Sequence, residues 1–148
     1  MQKISIAIHS GASTILRKLM TPELENEYRL GLQASLAAGY ALLEKGAGAI
    51  DAVQSAVVLL EDNLLFNAGR GSVFTKQGQH EMDAAIMDGK DLAAGAVAGA
   101  RNIRNPVLLA TEIMLHSNHV FLSGSGASDF AMQRKIKMEP DEYFFSQF

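Results

Sequence analysis

The 148-residue sequence contains no cysteine and no tryptophan, and only three of its residues are proline. The absence of cysteine excludes disulfides and thiol chemistry, which fits a reducing compartment. Aromatic residues make up only 7%, although 48% of the residues are hydrophobic. Small side chains therefore supply much of the apolar content, which indicates closely packed layers rather than bulky anchors.

Long apolar runs and an excess of basic residues are also missing. No run approaches the roughly 18 apolar residues of a membrane-spanning helix, and residues 1–6 lack the apolar core of a signal peptide. The net charge is −3, and the 13 basic residues are scattered except for Arg134-Lys135-x-Lys137. We therefore expect a soluble, cytoplasmic protein that binds neither membrane nor nucleic acid.

The first half of the chain predicts a strand followed by two helices. Apolar residues alternate with small or polar ones over residues 4–8, which is the period of a strand. Thr21-Pro22 is a typical helix start, and Gly46 a typical residue just beyond a helix end. A second helix is predicted to end near Asp62. The first helix has apolar residues at every third or fourth position, at Leu24, Tyr28, Leu32, Leu36, Tyr40 and Leu43.

The second half predicts strands at residues 81–88 and 93–100, although the alanine content of the second segment also permits a helix. A helix is then predicted from Asn105-Pro106 to about His116. A short strand at residues 119–123 leads into a last helix, which begins after Gly124-Ser125-Gly126. Two paired helices followed by a hairpin-like strand pair favour a layered α+β fold. With no internal linker, we expect one domain covering residues 1–148.

A glycine-rich turn at residues 64–75 follows the second predicted helix. The last carbonyls of a helix lack intrahelical partners, so a loop of carbonyls at this point is suited to a hard cation. The alternative is a plain turn in which glycine supplies a positive φ. Spacing alone favours the plain turn.

Several segments, taken in order, resemble the α-subunit of the plant-type (type 2) L-asparaginase/isoaspartyl peptidase family, which are N-terminal-nucleophile hydrolases. They are residues 65–75, 81–89, 94–100, Asn105-Pro106-Val107 and 139–145. The resemblance implies an αββα sandwich completed by a second chain, the β-subunit, which arises when one precursor cleaves itself. It also implies an (αβ)2 heterotetramer that hydrolyses L-asparagine and β-aspartyl dipeptides.

The same resemblance assigns site residues. The catalytic threonine is expected at the N-terminus of the β-subunit, so this chain carries no catalytic residue. Asn67 corresponds to an asparagine near the active site that is important for self-cleavage, and Ser10 and Gly11 lie in a loop near the nucleophile. No cofactor is expected for catalysis, but a structural Na+ is, bound by backbone carbonyls of Leu60, Glu61, Asn63, Phe66, Ala68 and Arg70.

Some positions depart from the family pattern. Serine replaces glycine at Ser10 and Ser13, which would cost about 1 kcal/mol or more wherever a positive φ is required. Ser125 stands where the family usually has an acidic residue. Asp83 and Asp88 match the family's strand motif, and we assign them structural work.

Two alternatives remain open. The segment 124–128 follows a strand and opens a helix, so the chain could instead be a stand-alone anion- or nucleotide-binding module. A related threonine hydrolase, a threonine aspartase or a glycosylasparaginase, is the other possibility. Because the sequence stops shortly before the family's Gly-Thr cleavage site, we interpret it as the α-chain after self-cleavage, or its ordered part.

Overall fold

A computed structural model describes residues 3–11 and 17–145. It confirms the α+β class. The chain order is α1 (Pro22–Glu44), α2 (Ala49–Glu61), β1 (Met82–Met87), β2 (Ala94–Ala100), α3 (Pro106–His116), β3 (Phe121–Ser123) and α4 (Gly124–Gln133). Single turns of 3-10 helix lie at Arg17–Leu19, Gly69–Gly71 and Asp141–Tyr143.

The residues predicted to begin and end the first helix lie at the two ends of α1. The Thr21 hydroxyl accepts a hydrogen bond from the Leu24 N–H at 3.2 Å, and Pro22 begins α1. Gly46 follows α1 with a φ of +83°, a conformation that favours glycine. The bounds of α2 and α3 agree with those predicted, although the Asn105 side chain makes no capping hydrogen bond to α3.

Helix α1 packs on α2 through small residues rather than through its whole apolar stripe. Ser35 is buried, and its hydroxyl donates to the Ala56 carbonyl at 2.8 Å. A side chain at Gly39 would lie 2.8 Å from the carbonyl oxygen of Ala52, so the helices approach closely. Leu36 and Tyr40, predicted on the buried face, are 37% and 40% exposed. The small residues decide the contact because they let the two backbones come together.

The sheet has the order β1-β2-β3. Strands β1 and β2 are antiparallel, with an irregularity between Met82 and Ala84, and β3 pairs with β2 in parallel. The predicted strand pair is thus confirmed. A side chain at Gly95 would overlap the carbonyl oxygen of Ala110, which shows how closely β2 lies against α3. This is the close layer approach expected of a strand of small residues.

The core lies between one face of the sheet and helices α3 and α4. Its largest fully buried aliphatic side chains are Ile103, Leu109, Ile113 and Val97. Helix α2 packs at the edge, against α3 and β1. Residues on the opposite sheet face, such as Ala85, Met87 and Phe121, are exposed. The domain therefore presents one apolar sheet face without a covering layer among residues 17–145.

The strand predicted at residues 4–8 is wrong. Ile4, Ile6 and Ile8 are half-buried while Ser5 and Ala7 are exposed, so the alternation of a strand is present. No backbone pairing joins this segment to the three strands, however, because it lies against α1 and α2 instead. A strand exists only with a hydrogen-bonded neighbour, which the sequence period cannot supply.

No helix among the described residues is both long and apolar enough to cross a membrane.

Candidate functional site

The glycine turn begins where α2 ends. Helix α2 finishes at Glu61, and the chain then turns through short-range backbone hydrogen bonds. The Ala68 N–H donates to the Phe66 carbonyl at 2.7 Å, and the Gly71 N–H to the Ala68 carbonyl at 3.0 Å. These bonds fold residues 62–72 back upon the helix end.

Two glycines let several carbonyls converge. A side chain at Gly71 would overlap the carbonyl oxygen of Phe66 and lie 2.7 Å from that of Leu64 and 2.9 Å from that of Asn63. A side chain at Gly69, whose φ is +51°, would overlap the carbonyl oxygen of Glu61. Glycine is therefore required here by space as well as by conformation.

Three of these oxygens, those of Asn63, Leu64 and Phe66, surround the place of a Gly71 Cβ, and the Glu61 carbonyl borders Gly69. Each carbonyl that accepts one hydrogen bond keeps a second lone pair. Neutral backbone oxygens are ligands that suit a cation such as Na+. The whole predicted ligand set stays a prediction: Leu60, Glu61, Asn63, Phe66, Ala68 and Arg70.

The Glu61 side chain serves a different purpose from its carbonyl. Its Oε1 accepts the Val107 N–H at 2.9 Å, at the start of α3, so it ties α2 to α3. Its Oε2 has no hydrogen-bond partner within the described residues. Burial raises the pKa of this carboxyl from 4.5 to about 7, although the Val107 N–H and Asn105 oppose the rise.

Asp62, one residue further on, joins three segments. Its carboxylate accepts two hydrogen bonds from Arg104 at 3.1 Å each, one from Asn105 at 3.2 Å and one from the Tyr143 hydroxyl at 3.4 Å. Burial works against the charge, but the bonds from Arg104 and Asn105 outweigh it and hold the pKa of Asp62 below its ordinary value. Arg70 and Arg104 both lie over the Tyr143 ring, 5.2 and 5.5 Å from its centroid. The sequence analysis missed this network, whose members lie up to 81 positions apart.

Asn67 lies on the turn and faces a cavity of about 290 Å³. Its Oδ1 accepts the Val73 N–H at 3.0 Å. The Nδ2 group makes no hydrogen bond within the described residues, so it is available as a donor. Three carboxylates and one hydroxyl are among the other lining residues, which are Glu61, Ala68, Gly69, Ser72, Val73, Glu81, Met82, Asp83 and Pro106.

Ser72 and His80 form a buried pair beside this cavity. Ser72 Oγ lies 3.1 Å from His80 Nδ1, and the residues are 5% and 7% exposed. Neither residue was assigned a role from the sequence. No short motif contains the pair; the one available signal was an otherwise unexplained histidine close to the start of β1.

Ser10 and Gly11 lie elsewhere in the described structure and do not line the Asn67 cavity. Gly11 has a φ of +99°, and its N–H donates to His9 Nδ1 at 3.1 Å. Ser10 has no positive φ, so the strain considered for serine at this position is absent. Ser13 lies outside the described residues. The active-site support role of Ser10 and Gly11 stays a prediction.

The remaining motif residues have structural partners. Asp83 Oδ1 accepts the Gly99 N–H at 2.8 Å, across the irregular start of the β1–β2 pair, and Asp88 Oδ1 accepts the Lys90 N–H at 2.9 Å. Strand β3 passes directly into α4 at Gly124, with no loop between them. The segment considered for anion binding is thus the first turn of a helix rather than a cradling loop.

Comparison with known proteins gives one family. The family model described as asparaginase matches residues 1–148. The isoaspartyl peptidase of Escherichia coli is 47% identical over 97% of this chain and 45% of its own length. The isoaspartyl peptidase/L-asparaginase of Xenopus laevis is 44% identical over 93% of this chain and 43% of its own length.

A third relative is archaeal. The plant-type L-asparaginase of Pyrococcus furiosus is 47% identical over 86% of this chain and 40% of its own length. The chain therefore spans less than half the length of these curated relatives.

Proposed function

The chain belongs to the asparaginase family, and we propose that it is the α-subunit part of an enzyme that hydrolyses L-asparagine and β-aspartyl dipeptides. The observation that carries the proposal is the match of the family model to the whole chain. Relatives with the names isoaspartyl peptidase and plant-type L-asparaginase, at 44–47% identity, support it. The N-terminal-nucleophile hydrolase fold follows from the same membership.

In this proposal the nucleophile is the N-terminal threonine of the β-subunit. A threonine hydroxyl is weakly nucleophilic at neutral pH, and the free α-amino group of the same residue activates it as a base. The hydroxyl attacks the side-chain amide carbonyl as its proton passes to the α-amino group, and donors hold the oxyanion. The C–N bond then breaks, the departing ammonia or amino acid takes up that proton, and water hydrolyses the acyl-enzyme ester to release aspartate and the free threonine. Self-cleavage is required because only cleavage frees that amino group.

The uncovered surfaces of the chain support a second half. Ala85, Met87 and Phe121 lie on a sheet face that has no covering layer, and small or flat side chains suit a second sheet stacked about 10 Å away. Segment 3–9 also forms no β-bridge with any described part of the chain. The relatives contain more than twice the length matched here. An αββα sandwich completed by a β-subunit, and an (αβ)2 assembly, account for these features.

The proposed Na+ site would stabilise the turn that carries Asn67. The converging carbonyls of Asn63, Leu64 and Phe66 place negative partial charges close together. When bound, a cation supplies the positive charge that offsets their repulsion. The turn, with Asn67 at its middle, is then held against the end of α2.

Asn67 is proposed to contact the reacting carbonyl or the peptide bond that is cleaved. Because its Oδ1 is engaged by the Val73 N–H, its Nδ2 faces outward as a donor. A carbonyl oxygen that gains negative charge requires such a donor. Asn67 would thus support both self-cleavage and hydrolysis.

The test uses the full-length precursor that contains this chain. Mass spectrometry of the purified protein is expected to show two chains, of which the second begins with threonine. Ammonia release from L-asparagine and cleavage of a β-aspartyl dipeptide are then measured. If an intact threonine-starting partner is present and neither substrate reacts, the proposed activity is wrong. Cell fractionation tests the cytoplasmic location, which remains part of the proposal.

A further inference from the structure

The peptide group between Ser72 and Val73 carries the N–H that orients Asn67. That N–H donates to Asn67 Oδ1 at 3.0 Å, so the position of this one peptide group decides which end of the Asn67 amide faces the cavity. A shift of the peptide would release Oδ1 and let the amide rotate. The orientation of Asn67 therefore depends on whatever holds Ser72.

Ser72 is held from two sides. Its backbone N–H donates to the Gly69 carbonyl at 3.1 Å, and its hydroxyl contacts His80 Nδ1 at 3.1 Å. Whichever ring nitrogen carries the proton, the hydroxyl can act as the matching donor or acceptor. The contact is buried, so losing it would leave a polar group without a partner.

His80 is itself fixed by its surroundings. Its backbone forms a β-bridge with Phe74, and its ring lies 4.3 Å from the Phe74 ring centroid. The rings of Phe144 and Phe145 lie 5.9 and 5.7 Å from it, centroid to centroid. The imidazole thus has little freedom to move, and it is a rigid point of attachment for Ser72.

We propose that Ser72 and His80 are positioning residues that keep the Asn67 amide turned with its NH2 group toward the cavity. The inference rests on the proposed function for the role of Asn67, but the geometric relation stands by itself. Ser72 and His80 act through the Val73 N–H and the Asn67 side chain.

The experiment uses the full-length protein that contains this chain, in the assembly in which it purifies. Ser72→Ala and His80→Phe each remove the contact, and His80→Phe keeps an aromatic ring among the phenylalanines. His80→Asn keeps a polar atom near the place of Nδ1. The rate of self-cleavage and the kcat and KM for a β-aspartyl dipeptide are measured for each variant.

We expect Ser72→Ala and His80→Phe to lower kcat or the self-cleavage rate by about tenfold, with KM changed by less than about twofold. His80→Asn recovers most of the loss. In an Asn67→Ala background, Ser72→Ala has no further effect, because both changes remove the same interaction. If the losses from Ser72→Ala and Asn67→Ala multiply instead, the positioning role is refuted.

Ser35→Ala is the matched control. Ser35 is also a buried serine whose hydroxyl makes one hydrogen bond, at 2.8 Å to the Ala56 carbonyl, but it lies between α1 and α2. It is expected to lower stability as Ser72→Ala does while leaving kcat and self-cleavage unchanged. An equal loss of kcat in Ser35→Ala would show that the effect is general destabilisation.

A spectroscopic readout separates this inference from the proposed function. In protein labelled with 15N-asparagine, the Asn67 side-chain NH2 signal is assigned by its disappearance in Asn67→Ala. Ser72→Ala is expected to move or split that signal, while Ser35→Ala leaves it in place. An unmoved signal overturns the positioning role. If the signal moves but Asn67→Ala is fully active, the positioning is correct and the proposed role of Asn67 fails.

Discussion

Replacing Gly71 by alanine is a direct test of the carbonyl turn. The added Cβ would overlap the Phe66 carbonyl oxygen and lie 2.7 and 2.9 Å from those of Leu64 and Asn63, closer than side-chain carbons approach oxygen in proteins. All three obstacles are backbone atoms, which cannot rotate away. The turn must therefore open. Since Gly71 has no positive φ, the effect is one of space rather than of conformational strain.

The expected magnitude follows from what the opening disrupts. Overpacking of this kind costs about 1–3 kcal/mol. Opening the turn also weakens its own hydrogen bonds, such as Ala68 N–H to Phe66 and Gly71 N–H to Ala68, each of which contributes about 1 kcal/mol to stability. We expect a loss of about 2–4 kcal/mol in the free energy of unfolding.

The assay is guanidinium unfolding of the assembled protein, followed by circular dichroism, in sodium and in choline buffers. Gly89→Ala is the control, because a Cβ at Gly89 meets nothing within 4 Å and its φ is not positive. It should change stability by about 0.5 kcal/mol or less. The wild type should be more stable in sodium than in choline, and Gly71→Ala should lose that difference. If Gly71→Ala is as stable as Gly89→Ala, the close convergence of these carbonyls is refuted.

Three further predictions concern packing and charge. Gly95→Ala should destabilise the protein by about 1–3 kcal/mol in the same unfolding assay, because its Cβ would overlap the backbone of α3. Gly126→Ala is the control, since its Cβ meets nothing within 4 Å and should not destabilise the protein. Equal effects would contradict the close contact between β2 and α3. Arg104→Met should cost about 1–2 kcal/mol at neutral pH. That loss should shrink as the pH falls, because the Asp62 carboxylate, whose pKa is lowered in the folded state, stabilises the fold only while it is charged. A loss that does not change with pH would argue against the ion pair. Burial raises the pKa of Glu61 from 4.5 to about 7 in the folded state. The stability that this raised pKa provides is fully present below pH 4.5 and is lost as the pH rises through about 7. Glu61→Gln should remove on the order of 3 kcal/mol of that pH dependence in sodium-free buffer, and an unchanged pH profile would contradict the raised pKa.

Much of the local structure could be predicted because its causes lie within a few residues. Thr21 and Pro22 start a helix through one hydroxyl and one fixed φ, and Gly46 ends it through its freedom at positive φ. The small residues of β2 predicted the close approach of another layer, which the structure shows to be α3. The ordered set of motifs was sufficient to identify the family.

The candidate site could be predicted only in part. The resemblance pointed to Asn67 and to the carbonyls of residues 60–70. It did not reveal the Ser72–His80 contact or the attachment of Asp62 to Arg104. The first joins residues eight positions apart and the second residues 42 positions apart, with no motif that spans either pair.

By itself, the sequence determined where the helices and the strands of the sheet begin and end to within a few residues, which residues are small enough for close contact, and which family the chain belongs to. The tertiary structure alone decided which groups meet. Residues 4–8 have the period of a strand, yet they do not form one, because no described segment pairs with them. The carbonyls of Asn63, Leu64 and Phe66 point to one place only because Gly71 leaves room there. Backbone propensity acts over one or two turns, whereas pairing across the fold depends on how distant layers pack.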